Sequence, residues 1–88
     1  MNLPNSSRRI ELFYSPLCSL CPQAKEVARA VAEEQQVRLE EINIFAPEGE
    51  ARANKYGIKG VPTLVVNGER RITGVPDKEQ LIRLLNDN

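Results

Sequence analysis

Tyr14-Ser15-Pro16-Leu17-Cys18-Ser19-Leu20-Cys21-Pro22 (YSPLCSLCP) holds both cysteines of the chain, separated by two residues. Upstream, Ile10, Leu12 and Tyr14 alternate with Glu11 and Phe13. That pattern predicts a strand that turns apolar on both faces near its end and is stopped by Pro16. Downstream, Ala24, Val27, Ala28, Val31 and Ala32 fall at helical spacing, opposite Lys25, Glu26, Arg29, Glu33 and Glu34. This is the apolar stripe of an amphipathic helix opening from about Ser19. The two thiols therefore stand where a strand hands over to a helix.

The remaining chain continues the alternation of element types. Val37 to Phe45 reads as a second strand, and its change of phase at Glu40-Glu41 predicts a bulge or a late start. Pro47 to Tyr56 is a weaker helix with Gly57 as its C-cap. Thr63-Leu64-Val65-Val66 is a short, continuous apolar run, as expected of a strand covered on both faces. Asn67-Gly68 signals a hairpin returning around Arg70 to Thr73. Asp77 with Gln80 matches a capping box, and Leu81, Ile82, Leu84 and Leu85 form the apolar face of a last helix. The order β-α-β-α-β-β-α predicts an α/β domain with a four-stranded mixed sheet flanked by helices.

Composition narrows the function classes. The 88 residues make a single domain spanning 1–88, with residues 1–8 read as a flexible end. Twelve basic residues balance twelve acidic ones, so net charge draws neither nucleic acid nor an anionic membrane. No apolar run approaches a membrane span, and MNLPNSSRRIE lacks the apolar segment of a secretory signal. A cytoplasmic monomer is the expectation, in a compartment where thiols are mostly kept reduced. A purely structural disulfide fits that setting poorly, and one closing so short a loop constrains little chain.

Three readings of the cysteine pair compete. Zinc normally takes four Cys or His ligands, and this chain has two Cys and no His. Only a dimer sharing two pairs, or Cu(I) held linearly by two thiolates, escapes that count. Copper-carrying domains of this size follow a βαββαβ order and usually have Met-x-Cys, where this chain has Pro16-Leu17-Cys18. Two buried cysteines acting as small hydrophobes are the plainest reading, but the strand-to-helix junction favours exposure of the first. The third reading is a redox couple. Free N–H groups and partial positive charge at a helix N-terminus stabilise a thiolate, which lowers a cysteine pKa below its usual value of roughly 8.5. Cys18 at the mouth of the helix gains most and is the attacking thiol. Cys21, a turn further in and more buried, resolves the mixed disulfide. Pro22 costs little so early in a helix.

The chain resembles the thioredoxin superfamily from about Arg9 to Leu85, in a small form closer to glutaredoxin in size. Three linked features carry the resemblance: the CxxC opening a helix after a strand, Tyr56-Gly57-Ile58-Lys59-Gly60-Val61-Pro62-Thr63, and Thr73-Gly74-Val75 before a capped helix. The resemblance implies a cis Val61-Pro62 bond, with the proline packed against the disulfide. It also implies that Val61 offers its backbone to an extended substrate, a form of strand addition. Leu17, Val61 and Val75, with Gly74 beside them, would frame an apolar patch around Cys18. The plainer alternative makes Pro62 a strand-start proline and Val75 ordinary packing. The implied activity is thiol–disulfide oxidoreduction, mainly protein-disulfide reduction, with no organic cofactor. The implied partners are disulfide-containing proteins and a reductase or small-thiol electron donor.

The departures from the family pattern matter as well. Thioredoxins usually have Trp before the first Cys and Gly-Pro between the two; here those places hold Leu17 and Ser19-Leu20. The family's buried acid, six residues before the first Cys, is replaced by Leu12, and a common lysine by Glu41. Glu41 is therefore a candidate proton acceptor for Cys21, with a pKa raised by partial burial; the competing reading points it to solvent. Glutaredoxins typically have Pro-Tyr in the CxxC, a Thr before Val-Pro and a Gly-Gly pair, where this chain has Ser19-Leu20, Gly60 and a single Gly74. A glutathione-linked enzyme is thus the nearer alternative, and a metal or iron–sulfur carrier using the CxxC in a dimer the more distant one.

Overall fold

In the computed structural model, which describes residues 8–87, Arg9–Tyr14 forms β1 and is covered on both sides as its composition requires. Ile10 and Leu12 sink into one apolar layer and Phe13 into another, because successive side chains of a strand point to opposite faces. The other elements follow in the predicted order: α1 (Cys21–Gln35), β2 (Arg38–Asn43), α2 (Pro47–Tyr56), β3 (Thr63–Val66), β4 (Arg70–Thr73) and α3 (Lys78–Asn86). The sheet runs β2-β1-β3-β4, with β1 parallel to β2 and antiparallel to β3, and β3 antiparallel to β4. Helices α1 and α3 cover one face through Ala24, Ala28, Val31, Leu81 and Leu85. Helix α2 covers the other through Ala53. Residues 1–7 of the predicted flexible end lie outside the described residues. Arg8 is half-buried, and its Nη2 donates to Asn86 Oδ1 at 2.6 Å.

Of the bulge or late start expected in the second strand, the bulge is absent, and β2 starts at Arg38, one residue after Val37. β1 and β2 pair without interruption from Arg9↔Arg38 to Tyr14↔Asn43. Leu39 packs on the α1 face and Ile42 on the α2 face, so the apparent change of phase records two covered faces rather than an extra residue. The intervening acids are tolerated because each face brings an arginine. Arg52 Nη1 of α2 donates to Glu40 Oε2 at 2.9 Å, and Arg29 of α1 grips Glu41. On the α2 face buried Glu11 accepts from Tyr56 Oη at 2.8 Å and from Arg52. Burial, with Glu11 next to it, pushes the Tyr56 phenol pKa upward.

The boundaries have local causes. Gly57 ends α2 at φ +72°, a left-handed conformation that glycine adopts without steric cost. Asn67 and Gly68 both take positive φ, and Glu69 N–H closes the turn on Val66 O at 3.1 Å. Asp77 caps α3, its Oδ2 accepting from Gln80 N–H at 3.2 Å.

Candidate active site

Register brings four chain segments to one edge of the sheet. Tyr14 pairs with Asn43, Phe13 with Thr63 and Thr63 with Thr73. Ile44 N–H continues the β1–β2 ladder onto Tyr14 O at 2.9 Å. Residues 15–20, 44–46, 60–62 and 74–76 therefore leave or enter the sheet side by side.

The cysteines lie on the first of these segments. Cys18 N–H donates to the carbonyl of buried Ser15 at 3.2 Å, closing the turn that follows Pro16. Cys18 is half-buried, Cys21 is only 2% exposed, and the two form a disulfide with Cα atoms 5.4 Å apart. Helix α1 begins at Cys21 rather than near Ser19, so Cys18 occupies the turn ahead of the helix. Leu20 is the N-cap, no side chain caps the helix, and its first turn holds no acid. The positive end of the helix dipole is thus left uncompensated by the protein. A thiolate formed at Cys18 on reduction is stabilised by it.

The third and fourth segments of the edge meet through a hydrogen bond. Val61-Pro62 is cis, with Pro62 buried and Val61 half-buried. Thr63 Oγ1 donates to Gly60 O at 2.7 Å and holds the loop. Gly74 N–H donates to Pro62 O at 2.8 Å, which sets Gly74 and Val75 beside Val61-Pro62. Gly74 has φ +92°, where a side chain would be strained. Leu17 is 82% exposed and Val75 37%, so both present apolar surface at the same edge as the disulfide.

Glu41 does not have the character expected of it. It pairs with Leu12 in the β1–β2 register, and its carboxylate is engaged from α1. Arg29 Nε donates to Oε2 at 2.6 Å and Nη2 to Oε1 at 2.8 Å, with Lys25 Nζ 3.9 Å from Oε1. The hydrogen bonds from Arg29 outweigh burial and hold the carboxyl below its ordinary value, opposite to the raised pKa a proton acceptor would need. Lys25 also lies over the Tyr14 ring, 3.6 Å from its centroid. Neither that contact nor Arg29 was legible as part of the surroundings of Glu41, since both depend on how α1 crosses the sheet.

Two exposed apolar side chains were missed. Phe45, read as the end of a strand, stands 59% exposed in the β2–α2 loop, and Leu20 is 50% exposed inside the CxxC. Pro47, placed at the first turn of α2, was the signal that the strand stops before Phe45. Among the described residues no group of three or more His, Cys, Asp and Glu is placed to hold a metal ion. No helix among them is long and apolar enough to cross a membrane.

A thioredoxin-domain family model matches residues 8–86. The thioredoxin of Methanocaldococcus jannaschii is 44% identical over 82 residues, covering 91% of this chain and 94% of that one. A probable thioredoxin of Archaeoglobus fulgidus is 42% identical over 76 residues, covering 86% and 84%. Among solved structures, a mutant thioredoxin from Halobacterium salinarum superposes with a TM-score of 0.77 at 28% identity, covering 92% of this chain and 74% of that one. The glutathione-linked and metal-carrier alternatives draw no support from these comparisons.

Proposed function

The chain belongs to the thioredoxin family and is a thiol–disulfide oxidoreductase, and from that premise we propose that it works mainly as a protein-disulfide reductase through Cys18 and Cys21. The observation that carries this reading is the asymmetry of the pair: a half-buried Cys18 bonded to a buried Cys21 at the uncapped amino end of α1. The more exposed cysteine is the one that can meet a substrate, and the sheltered one is held within its reach.

In the reduced protein, Cys18 thiolate attacks one sulfur of a substrate disulfide. A Cys18–substrate disulfide forms, and the other substrate sulfur leaves as a thiolate that takes a proton. Cys21, deprotonated, then attacks Cys18 Sγ, releasing the second substrate thiol and forming the Cys18–Cys21 disulfide. Two electrons pass to the substrate, and the protein is oxidised by the same two. A reductase or a small thiol returns them, and no organic cofactor enters the cycle. Val61 would align an extended substrate segment by backbone hydrogen bonds, with Pro62 and Gly74 shaping the groove and Leu17 and Val75 flanking it. Cytoplasm, where thiols are kept reduced, is the setting this activity calls for.

The test is a redox titration of the pair in thiol buffers, with alkylation trapping read by mass. A single two-electron transition near or below about −250 mV supports the reductase reading. A transition well above about −200 mV would make the protein an oxidant or isomerase instead.

A further inference from the structure

Phe45 is an aromatic side chain left largely in water, on a loop that has little freedom to bury it. Phe45 N–H donates to Asn43 Oδ1 at 2.9 Å, and Ala46 N–H donates to Asn43 O at 3.1 Å. Ile44 N–H is tied to Tyr14 O at 2.9 Å, so the loop lies against the start of the segment that carries the cysteines. On its other side Pro47 opens α2, and Gly49 packs so tightly that a Cβ there would fall 1.9 Å from Asn43 O. The exposure of Phe45 is therefore built in, not a consequence of a loose loop.

Its neighbours share its character. The large apolar side chains exposed among the described residues are Leu17, Leu20, Phe45 and Val75, and all four emerge at the edge that carries the disulfide. Segments 15–20, 44–46, 60–62 and 74–76 contain no charged residue, in a chain that is 27% charged. Apolar surface concentrated in one place on a soluble protein marks a contact site. Val61 and Val75 lie on the β3 and β4 side of the cysteines, whereas Phe45 lies on the β2 side, because the sheet order is β2-β1-β3-β4.

We propose that Phe45 is a specificity-determining residue that receives an apolar side chain next to the substrate's disulfide, on the flank opposite Val61 and Val75. The inference rests on the protein-disulfide reductase reading above and names the substrates it favours: polypeptides whose disulfide is bordered by uncharged, apolar residues. The occupant is a disulfide-bearing chain because Phe45 emerges at the sheet edge that carries the disulfide, on a segment tied to the end of β1 by Ile44 N–H to Tyr14 O. Within these segments an acidic or basic flank meets no charge to pair with, the nearest along the chain being Lys59, Glu48 and the α3 cap Asp77 at their outer ends, so desolvating it there is unfavourable.

Two synthetic peptide disulfides test this, identical except that the residues next to the half-cystines are Leu in one and Asp in the other. Each kcat/KM is divided by the same variant's rate on hydroxyethyl disulfide, which has no flanking residues to place against Phe45, so damage to the dithiol cancels. The natural protein should prefer the Leu peptide. Phe45→Ser should lower its normalised rate on that peptide by about fivefold, the scale of one useful contact residue. Phe45→Lys should raise the rate on the Asp peptide, a gain that misfolding cannot produce. An unchanged Leu-to-Asp ratio in both variants would overturn the role of Phe45 while leaving the reductase reading standing. Failure of the natural protein to reduce either peptide, with hydroxyethyl disulfide still reduced, would sink both.

Discussion

The two ends of the sheet are built from opposite materials. At the edge where β1 and β2 finish, four segments carry no charge, and the contacts that fix them are mostly backbone hydrogen bonds, such as Gly74 N–H to Pro62 O. At the other end, where β1 begins, the chain is stitched by polar side chains. Asn67 Oδ1 accepts from Arg9 N–H at 2.9 Å, and its Nδ2 donates to Leu85 O at 3.1 Å, so one residue joins β1, the hairpin and α3. Arg70 Nη1 meets Asp87 Oδ2 at 3.0 Å, and Arg8 reaches Asn86. The difference teaches that stability and reactivity are separated along the strand direction. Directional polar contacts at one end leave the other free to expose apolar surface and to keep a helix terminus without a competing anion.

Cutting at the reactive end should cost the most activity and little stability. Cys18→Ser should lower protein-disulfide turnover by more than about a thousandfold, as loss of a nucleophile does. Its urea midpoint should match that of the reduced natural protein, because Cys18 lies in a turn outside the apolar layers. A large loss of stability would show that the reactive end also carries the fold. Arg52→Ala probes a contact away from that end. It leaves buried Glu11 with the Tyr56 hydrogen bond and the Arg9 guanidinium 3.9 Å away, and should reduce unfolding free energy by roughly 2–3 kcal/mol. Adding Glu11→Gln should recover part of that loss.

Asn67 tests the stitched end directly. Asn67→Ala removes two side-chain hydrogen bonds and places a Cβ-bearing residue without an amide at φ +55°. The expected loss is about 2–3 kcal/mol by denaturant unfolding. Asn67→Gly keeps the backbone conformation accessible and should lose about half as much. In both variants the rate of disulfide reduction, measured where the protein is still folded, should stay at the natural level. A matching fall in rate would mean that the two ends are coupled through β1 and β3.

Much of this architecture was legible because its causes are local. Pro16, the helical spacing of Ala24 to Ala32, Gly57, Asn67-Gly68 and Asp77 each impose a conformation on their own neighbours, and the structure places each as read. The limits of β2 were not legible, since a strand covered on both faces loses the alternation that marks where pairing stops. Phe45 was lost for that reason. The state of Glu41 was hidden for another: its partner Arg29 stands twelve residues earlier, on an element whose path over the sheet only the folded chain defines. The cis bond at Val61-Pro62 was expected from family resemblance alone, because nothing in Gly60-Val61-Pro62-Thr63 distinguishes cis from trans.

Glu41 offers the smallest effect and the sharpest test of whether carboxylates stay out of the chemistry. Its pKa in the folded protein lies below the ordinary 4.5 because Arg29 bonds the charged form. In the unfolded chain that partner is gone, so folding holds the proton less tightly than unfolding does. The ion pair therefore adds stability at pH values above 4.5, and this is lost as the pH falls through the lower folded value. Glu41→Gln removes that contribution, so its stability should decline less between neutral and acid pH than that of the natural protein. The pH profile of Cys18 alkylation in the reduced protein should be the same in both, because Glu41 is already ionised throughout the range in which thiols titrate. A shift of that profile in Glu41→Gln would place the carboxylate in electrostatic contact with the thiols, and the edge of the sheet would then be reached by charge from its interior.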